Sequence, residues 1–193
     1  MADLHELDQI RGVVGRAFLA DPLSAWIFPD AMTRPSSVTA FFGGLVEGYM
    51  RSGQRIDVVE EDGQVVAVAM WRLPNDSEID WQSSPSIGEL LFALVGPRAQ
   101  DLGTAFGEFT RHWPPSPFAY LHILAVDPAH QGRGLGRRVI APGIAAAREQ
   151  GLSIGLETTN PRNHSFYRSV GFTDVETFEV ADGAPPATAM RLD

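Results

Sequence analysis

Leu121-His122-Ile123-Leu124-Ala125-Val126-Asp127-Pro128-Ala129-His130-Gln131-Gly132-Arg133-Gly134-Leu135-Gly136 is the stretch around which the rest of the chain can be organised. An apolar run ends in Asp-Pro, passes through a glycine-dense loop and continues into a segment with helical spacing. Glycines let the backbone come close to a ligand and leave N–H groups unobstructed. The first turn of a helix adds unpaired N–H donors and a partial positive charge. Strand, glycine loop and helix together therefore make a physical arrangement for holding phosphate.

Working outward, the 193 residues suit one domain spanning 1–193, with enough chain to bury a core. No apolar run reaches the roughly 20 residues of a membrane span. The acidic N-terminal residues do not resemble a signal peptide, which places the expected location in the cytoplasm. Cysteine is absent, which excludes disulfides, thiolate metal sites and a cysteine-linked intermediate. Lysine is absent as well, since all 15 basic residues are arginine, and this removes Schiff-base chemistry and the lysine of a P-loop. The scattered His5, His112 and His164 offer no metal-ligand spacing.

Net charge is −9, which argues against a nucleic-acid partner. The charge is unevenly spread. Residues 119–171 hold six Arg against Asp127, Glu149 and Glu157, a local +3, so the remainder carries −12. An arginine-rich island in an acidic chain suits a phosphate-bearing cofactor and leaves room for a cationic co-substrate.

Apolar spacing predicts a helix over Leu4–Ala20, ended by Asp21-Pro22, and a short helix or irregular segment over Leu23–Asp30. Ser36 or Ser37 is the expected cap of a helix reaching Arg51. Ile56–Glu60 and Val65–Leu73 read as a hairpin about Glu61-Asp62-Gly63. A polar loop over Pro74–Pro85 precedes a helical region over Ser86–Thr110, interrupted at Gly96-Pro97. The proline-rich 112–117 leads into a strand beginning at Ala119. Leu135–Gln150 reads as a helix kinked at Pro142. Then come a strand at Ser153–Glu157, a helix at Arg162–Ser169, a strand starting at Gly171-Phe172, and two last pieces at Phe178–Val180 and Thr188–Leu192. Helices alternating with strands in this order specify an α/β layered domain with a mixed sheet.

Read alone, the loop 131–136 fits several phosphate sites. A P-loop needs lysine. A dinucleotide fingerprint needs an acid about 20 residues on, which Glu157 nearly supplies, but it belongs to a first βαβ unit and not two-thirds along a chain behind a hairpin. The stretch Gln131-Gly132-Arg133-Gly134-Leu135-Gly136 resembles the Gln/Arg-x-x-Gly-x-Gly/Ala signature of the GNAT superfamily of acyl-CoA-dependent N-acyltransferases. Leu124-Ala125-Val126-Asp127-Pro128 before it, and Asn160…Phe166-Tyr167-x-x-x-Gly171-Phe172 after it, match in order and spacing. Val139–Gly143, Leu156-Glu157-Thr158 and Pro161-Arg162-Asn163…Phe166-Tyr167 look like the puromycin N-acetyltransferase branch. One departure is that the superfamily's usual strand before the first helix is missing.

The resemblance implies a GNAT fold, a mixed central sheet with flanking helices and a splayed strand pair that binds acetyl-CoA. It implies direct acetyl transfer to a primary amine of a small molecule, an antibiotic or aminonucleoside in the branch it resembles, with no metal. The cofactor-binding residues carried over are Leu124, Ala125 and Val126 for the pantetheine arm, Gln131, Gly132, Arg133, Gly134, Leu135, Gly136 and Arg137 around the pyrophosphate, and Asn160, Asn163 and Phe166. A homodimer is the superfamily's common assembly.

The chemistry needs a base for the ammonium proton and an acid for the leaving thiolate. Tyr167 matches the family's tyrosine acid, and its ring also suits core packing. Tyr120 and His122, two apart on a strand, share a face. The family places a carboxylate or histidine at such positions, and an ordinary pKa of about 6.5 suits His122 to the task. A structural histidine fits the same pattern, and Glu157 fits either the acceptor side or a plain strand flank. A non-catalytic acyl-CoA-binding module and a protein N-acetyltransferase stay open beside the small-molecule enzyme.

Overall fold

A computed structural model describes residues 6–74, 79 and 86–193. Helix α1 (Leu7–Phe18) buries Ile10, Val13 and Val14 along one stripe. Asp21 then accepts the Leu23 N–H at 3.0 Å and, with Pro22 in the first turn, starts α2 (Pro22–Ile27). Of the two forms expected over Leu23–Asp30, the short helix is the one that occurs, and it ends at Ile27. Helix α3 (Arg34–Arg51) starts two residues before the expected serine caps, because Pro35 already has the backbone angle a first turn requires.

Strands β1 (Ile56–Glu61) and β2 (Gln64–Arg72) pair antiparallel about a two-residue turn. Asp62 and Gly63 both take positive φ, 50° and 73°, the pattern of a tight hairpin. The helical region after Ser86 is two helices, α4 (Ile87–Val95) and α5 (Ala99–Arg111), parted by a 3₁₀ turn at Gly96–Arg98 as the glycine and proline there require. Most of the loop expected over Pro74–Pro85, and the start of the first helix at Leu4, lie outside the described residues.

Strand β3 (Phe118–Val126) leads through the glycine loop to α6 (Leu135–Glu149), followed by β4 (Ser153–Thr158), α7 (His164–Ser169), β5 (Thr173–Phe178) and β6 (Ala187–Leu192). Helix α6 continues through Pro142. The piece expected at Phe178–Val180 is instead the last residue of β5 followed by non-strand backbone. The six strands form one mixed sheet in the order β1-β2-β3-β4-β6-β5, with β3 and β4 the parallel pair. Among the described residues no strand precedes α1.

Two apolar layers hold the sheet. Helices α1 and α3 press Ile10, Val13, Val38, Phe41 and Val46 against Val68, Met70, Ile123 and Ala125. Helix α6 presses Val139, Ile140 and Ala147 against Ala69, Trp71, Leu121 and Leu156 on the other face. Each Val, Leu, Ile, Phe or Met among them contributes about 1.5–3 kcal/mol on burial. Gly143 is the tightest contact. A Cβ built there would lie 2.1 Å from the indole of Trp71, so at this point the helix lies against the sheet with no room for a side chain.

Candidate active site

The sheet is incomplete in the middle. Strands β3 and β4 pair through three positions, Phe118 with Ser153, Ala119 with Ile154 and Tyr120 with Gly155, and then part. From Leu121 to Val126, β3 keeps only its other neighbour, β2. The Asp127 N–H bonds the Val66 carbonyl at 2.9 Å, so its backbone faces β2. By the two-residue alternation, the backbone groups of Leu124 and Val126 face the gap, while those of Ala125 face β2. The result is a slot along one side of which the β3 edge has no strand partner, with the Val126 carbonyl accepting the Gln131 side chain.

At the end of that slot lies the glycine loop. Gly132 and Gly134 both have φ of +77°, and a Cβ at either would meet nothing within 4 Å. The first bond of α6 runs from the Arg138 N–H to the Gly134 carbonyl at 3.1 Å. The N–H groups of Leu135, Gly136 and Arg137 therefore precede the helix's own hydrogen bonding. Open space over bare glycines, three leading amides and a 15-residue helix dipole fit a pyrophosphate. Gly136 sits against Phe166, 3.1 Å from a built Cβ, which locks α7 beside the loop.

The side chains of this loop are turned elsewhere. Arg133 pairs with Glu61 at 2.8 Å, Arg137 bonds the Ser169 carbonyl at 2.9 Å, and Gln131 reaches back to the Val126 carbonyl at 3.2 Å. Asp127 is fixed by Arg16 of α1 at 2.6 and 2.8 Å and accepts the Ala129 N–H. The Asn160 side chain accepts the Arg162 N–H and meets Asp21, and Asn163 lies 3.5 Å from Thr158. Asp21 thereby ties the start of α2 to the end of β4.

Tyr167 is buried between Phe166 and Phe172, on the α6 face of the sheet. Burial, and then the charge of Asp21, push its hydroxyl above the ordinary tyrosine range, so it stays a proton donor.

Tyr120, His122 and Glu157 gather on the opposite face. A bulge in β3 makes this possible. Met70 pairs with Ile123 and Trp71 with Leu121, so His122 is the extra residue. The alternation slips by one there, bringing Tyr120, His122 and Ile123 to the α3 side while Leu124 and Val126 go to the α6 side. The rings of Tyr120 and His122 stack with centroids 5.4 Å apart. The Tyr49 hydroxyl of α3 lies 2.6 Å from His122 Nδ1. Burial, with the nearby Arg72 charge, pushes His122 down to about 4.

The Tyr120 hydroxyl donates to Glu157 Oε2 at 2.7 Å. Burial pushes Glu157 up to about 7, with the Tyr120 bond and the His112 ring pulling it partly back. Glu157 opens on a cleft of about 170 Å³ whose lining includes His112, Trp113 and Glu176. Tyr49 and Trp113, absent from the sequence-derived site, pack onto this cluster. Among the described residues no group of three or more His, Asp or Glu is placed to hold a metal, and no helix is long and apolar enough to cross a membrane.

The sheet is thus split between parallel strands, with an open glycine loop and free helix amides at one end and titratable side chains on its two faces. Residues 33–172 match the model described as Acetyltransferase (GNAT) family, and the chain belongs to that family. N-alpha-acetyltransferase RimI of Mycobacterium tuberculosis is 37% identical over 82 residues, 42% of this chain and 52% of that protein. Mycothiol acetyltransferase of Thermomonospora curvata is 31% identical over 81 residues, 39% of this chain and 27% of that protein. These matches span about half or less of the curated relatives' length. A crystal structure described as histone acetyltransferase HPA2 and related acetyltransferase, from Corynebacterium glutamicum, superposes with a TM-score of 0.70 at 25% identity, covering 98% of this chain and 92% of that one. The structure of yncA from Salmonella typhimurium, solved with its cofactor acetyl-CoA, superposes with a TM-score of 0.56 at 22% identity, covering 100% and 90%, and shares the fold.

Proposed function

We propose that the chain transfers the acetyl group of acetyl-CoA directly to the primary amine of a small molecule. The observation that carries this is Glu157: a half-buried carboxylate, raised to about 7 and held by Tyr120, at the mouth of the strand gap and across the sheet from the donor Tyr167. A base titrating near the working pH removes an ammonium proton most effectively. His122, pushed down to about 4, is neutral at pH 7 and holds a proton poorly. Glu157 therefore takes the base role, and His122 shapes the site through Tyr49 and Tyr120.

The slot edge at Leu124 and Val126 would hold the pantetheine arm, and the amides of 132–137 the pyrophosphate. Acetyl-CoA supplies the thioester whose acetyl carbon is attacked. Glu157 accepts the ammonium proton, the freed nitrogen bonds that carbon, the carbon–sulfur bond breaks as Tyr167 gives a proton to the leaving sulfur, and the second proton shed by the new amide nitrogen passes to water, from which Tyr167 is reprotonated. The likeness of Val139–Gly143 and Pro161–Tyr167 to the puromycin branch puts aminonucleosides among the acceptors to try.

Thiol release from acetyl-CoA across amines, aminonucleosides and peptide N-termini, read with a thiol-reactive dye, tests the proposal. Release with small amines and its loss in Glu157→Gln support it. Calorimetric CoA binding without release from any amine overturns it in favour of a binding module, and release confined to peptides overturns the small-molecule acceptor.

A further inference from the structure

Arg72 has no place in the acetyl-transfer steps above, yet the register puts it in the same site. It pairs with Tyr120 across β2 and β3, and Tyr120 pairs with Gly155 across β3 and β4. Paired residues project to one face, as does Glu157 two residues beyond Gly155. Across this face run a guanidinium, an aromatic ring and a carboxylate. The Arg72 guanidinium lies 5.3 Å over the ring of Trp113, which packs 5.0 Å from Tyr120. Among the described residues Arg72 forms no ion pair, although eleven other charged contacts do form. It is half-buried. Its planar fork, steadied on an indole, is suited to bidentate capture of a carboxylate or phosphate.

Given the transferase reading on which this rests, we propose that the acceptor is an amine that carries an anionic group, with Arg72 binding the anion while Glu157 receives the amine. Two strand spacings and a two-residue rise along β4 separate the two side-chain origins, roughly 12 Å. The acceptor's charges therefore lie several bonds apart, unlike those of an α-amino acid. The Tyr120 and Trp113 rings face the linking carbons.

The test uses the full chain with acetyl-CoA. Acceptors are ω-amino acids from glycine to aminohexanoate, their carboxamides, and aminoalkyl phosphates of the same lengths. Expected is a kcat/KM at least tenfold higher for an anionic acceptor longer than β-alanine than for its carboxamide. Arg72→Gln is expected to erase that ratio through KM, with the carboxamide's rate unchanged, and Arg72→Lys to restore part of it. Which anion gains more tells carboxylate from phosphate. Calorimetric binding of the same acceptors to the CoA complex runs alongside. Turnover with no preference for the anion, or an Arg72→Gln loss equal for both acceptors, overturns the subsite and leaves the transferase standing. Anion-selective, Arg72-dependent binding without turnover supports the subsite and overturns the transferase.

Discussion

The Tyr120 hydroxyl donates to the Glu157 carboxylate at 2.7 Å, joining β3 to β4 just past the last position at which the two strands pair. Backbone pairing stops and a side-chain bond takes over. This puts a half-buried carboxylate at the opening of the gap, with one partner to orient it and loss of solvent to hold its proton until about neutrality.

The rate should rise with pH through about 7. Glu157 works as the carboxylate, so kcat/KM has an acidic limb centred where that group titrates. Glu157→Gln should remove the limb and lower kcat/KM by about 10²–10⁴. A limb centred near 4 that disappears in His122→Ala would assign the base to histidine instead.

The same carboxylate should weaken the fold in alkali. Its folded pKa lies above the ordinary 4.5, so its contribution is fully present below 4.5 and is lost as pH rises through about 7. Glu157→Gln is expected to be more stable than wild type at pH 8, by on the order of 3 kcal/mol, and to lose that advantage at pH 4. Paired thermal melts at the two pH values measure this.

Tyr167→Phe keeps the ring between Phe166 and Phe172 and deletes only the hydroxyl. Its Tm should stay within a few degrees of wild type. The catalytic rate should fall about 10²-fold or more, with KM for acetyl-CoA little changed. Equal activity would remove Tyr167 from the chemistry.

Gly134→Ala places a side chain at φ +77°, at a strain of about 1–2 kcal/mol in the turn that starts α6. CoA affinity measured by calorimetry should drop several-fold, while the far-UV spectrum of the folded protein is unchanged.

Gly143→Ala tests the packing of α6. The new methyl would meet the Trp71 indole, which is rigid and fully buried. A loss of about 1–3 kcal/mol is expected in urea unfolding. A smaller residue at Trp71 should recover part of it.

Much of the phosphate side was legible because it is local. Gly132, Gly134 and Gly136 declare the loop, Asp127-Pro128 ends the strand, and the helix follows within a few residues. The acceptor side was not, because distance in sequence hides it. Glu157 meets Tyr120 across 37 positions and Tyr49 meets His122 across 73, and no spacing rule brings such pairs together. The bulge at His122 is a register event between two strands, invisible in either one. The start of α3 was misread because serines cap helices by hydrogen bonding, whereas here Pro35 does the work through its fixed backbone angle.

The parting of β3 from β4 carries one more consequence. Exposed strand edges are a hazard at a protein's rim, where any neighbouring chain can add to them. Here the edge beyond Leu121 lies in the middle of the sheet, with helices packed against both of its faces. Only something slender and amide-bearing can complete the ladder. Because main-chain groups form that edge, no single side-chain exchange along β3 removes it, and variation can redesign the acceptor face while the slot persists.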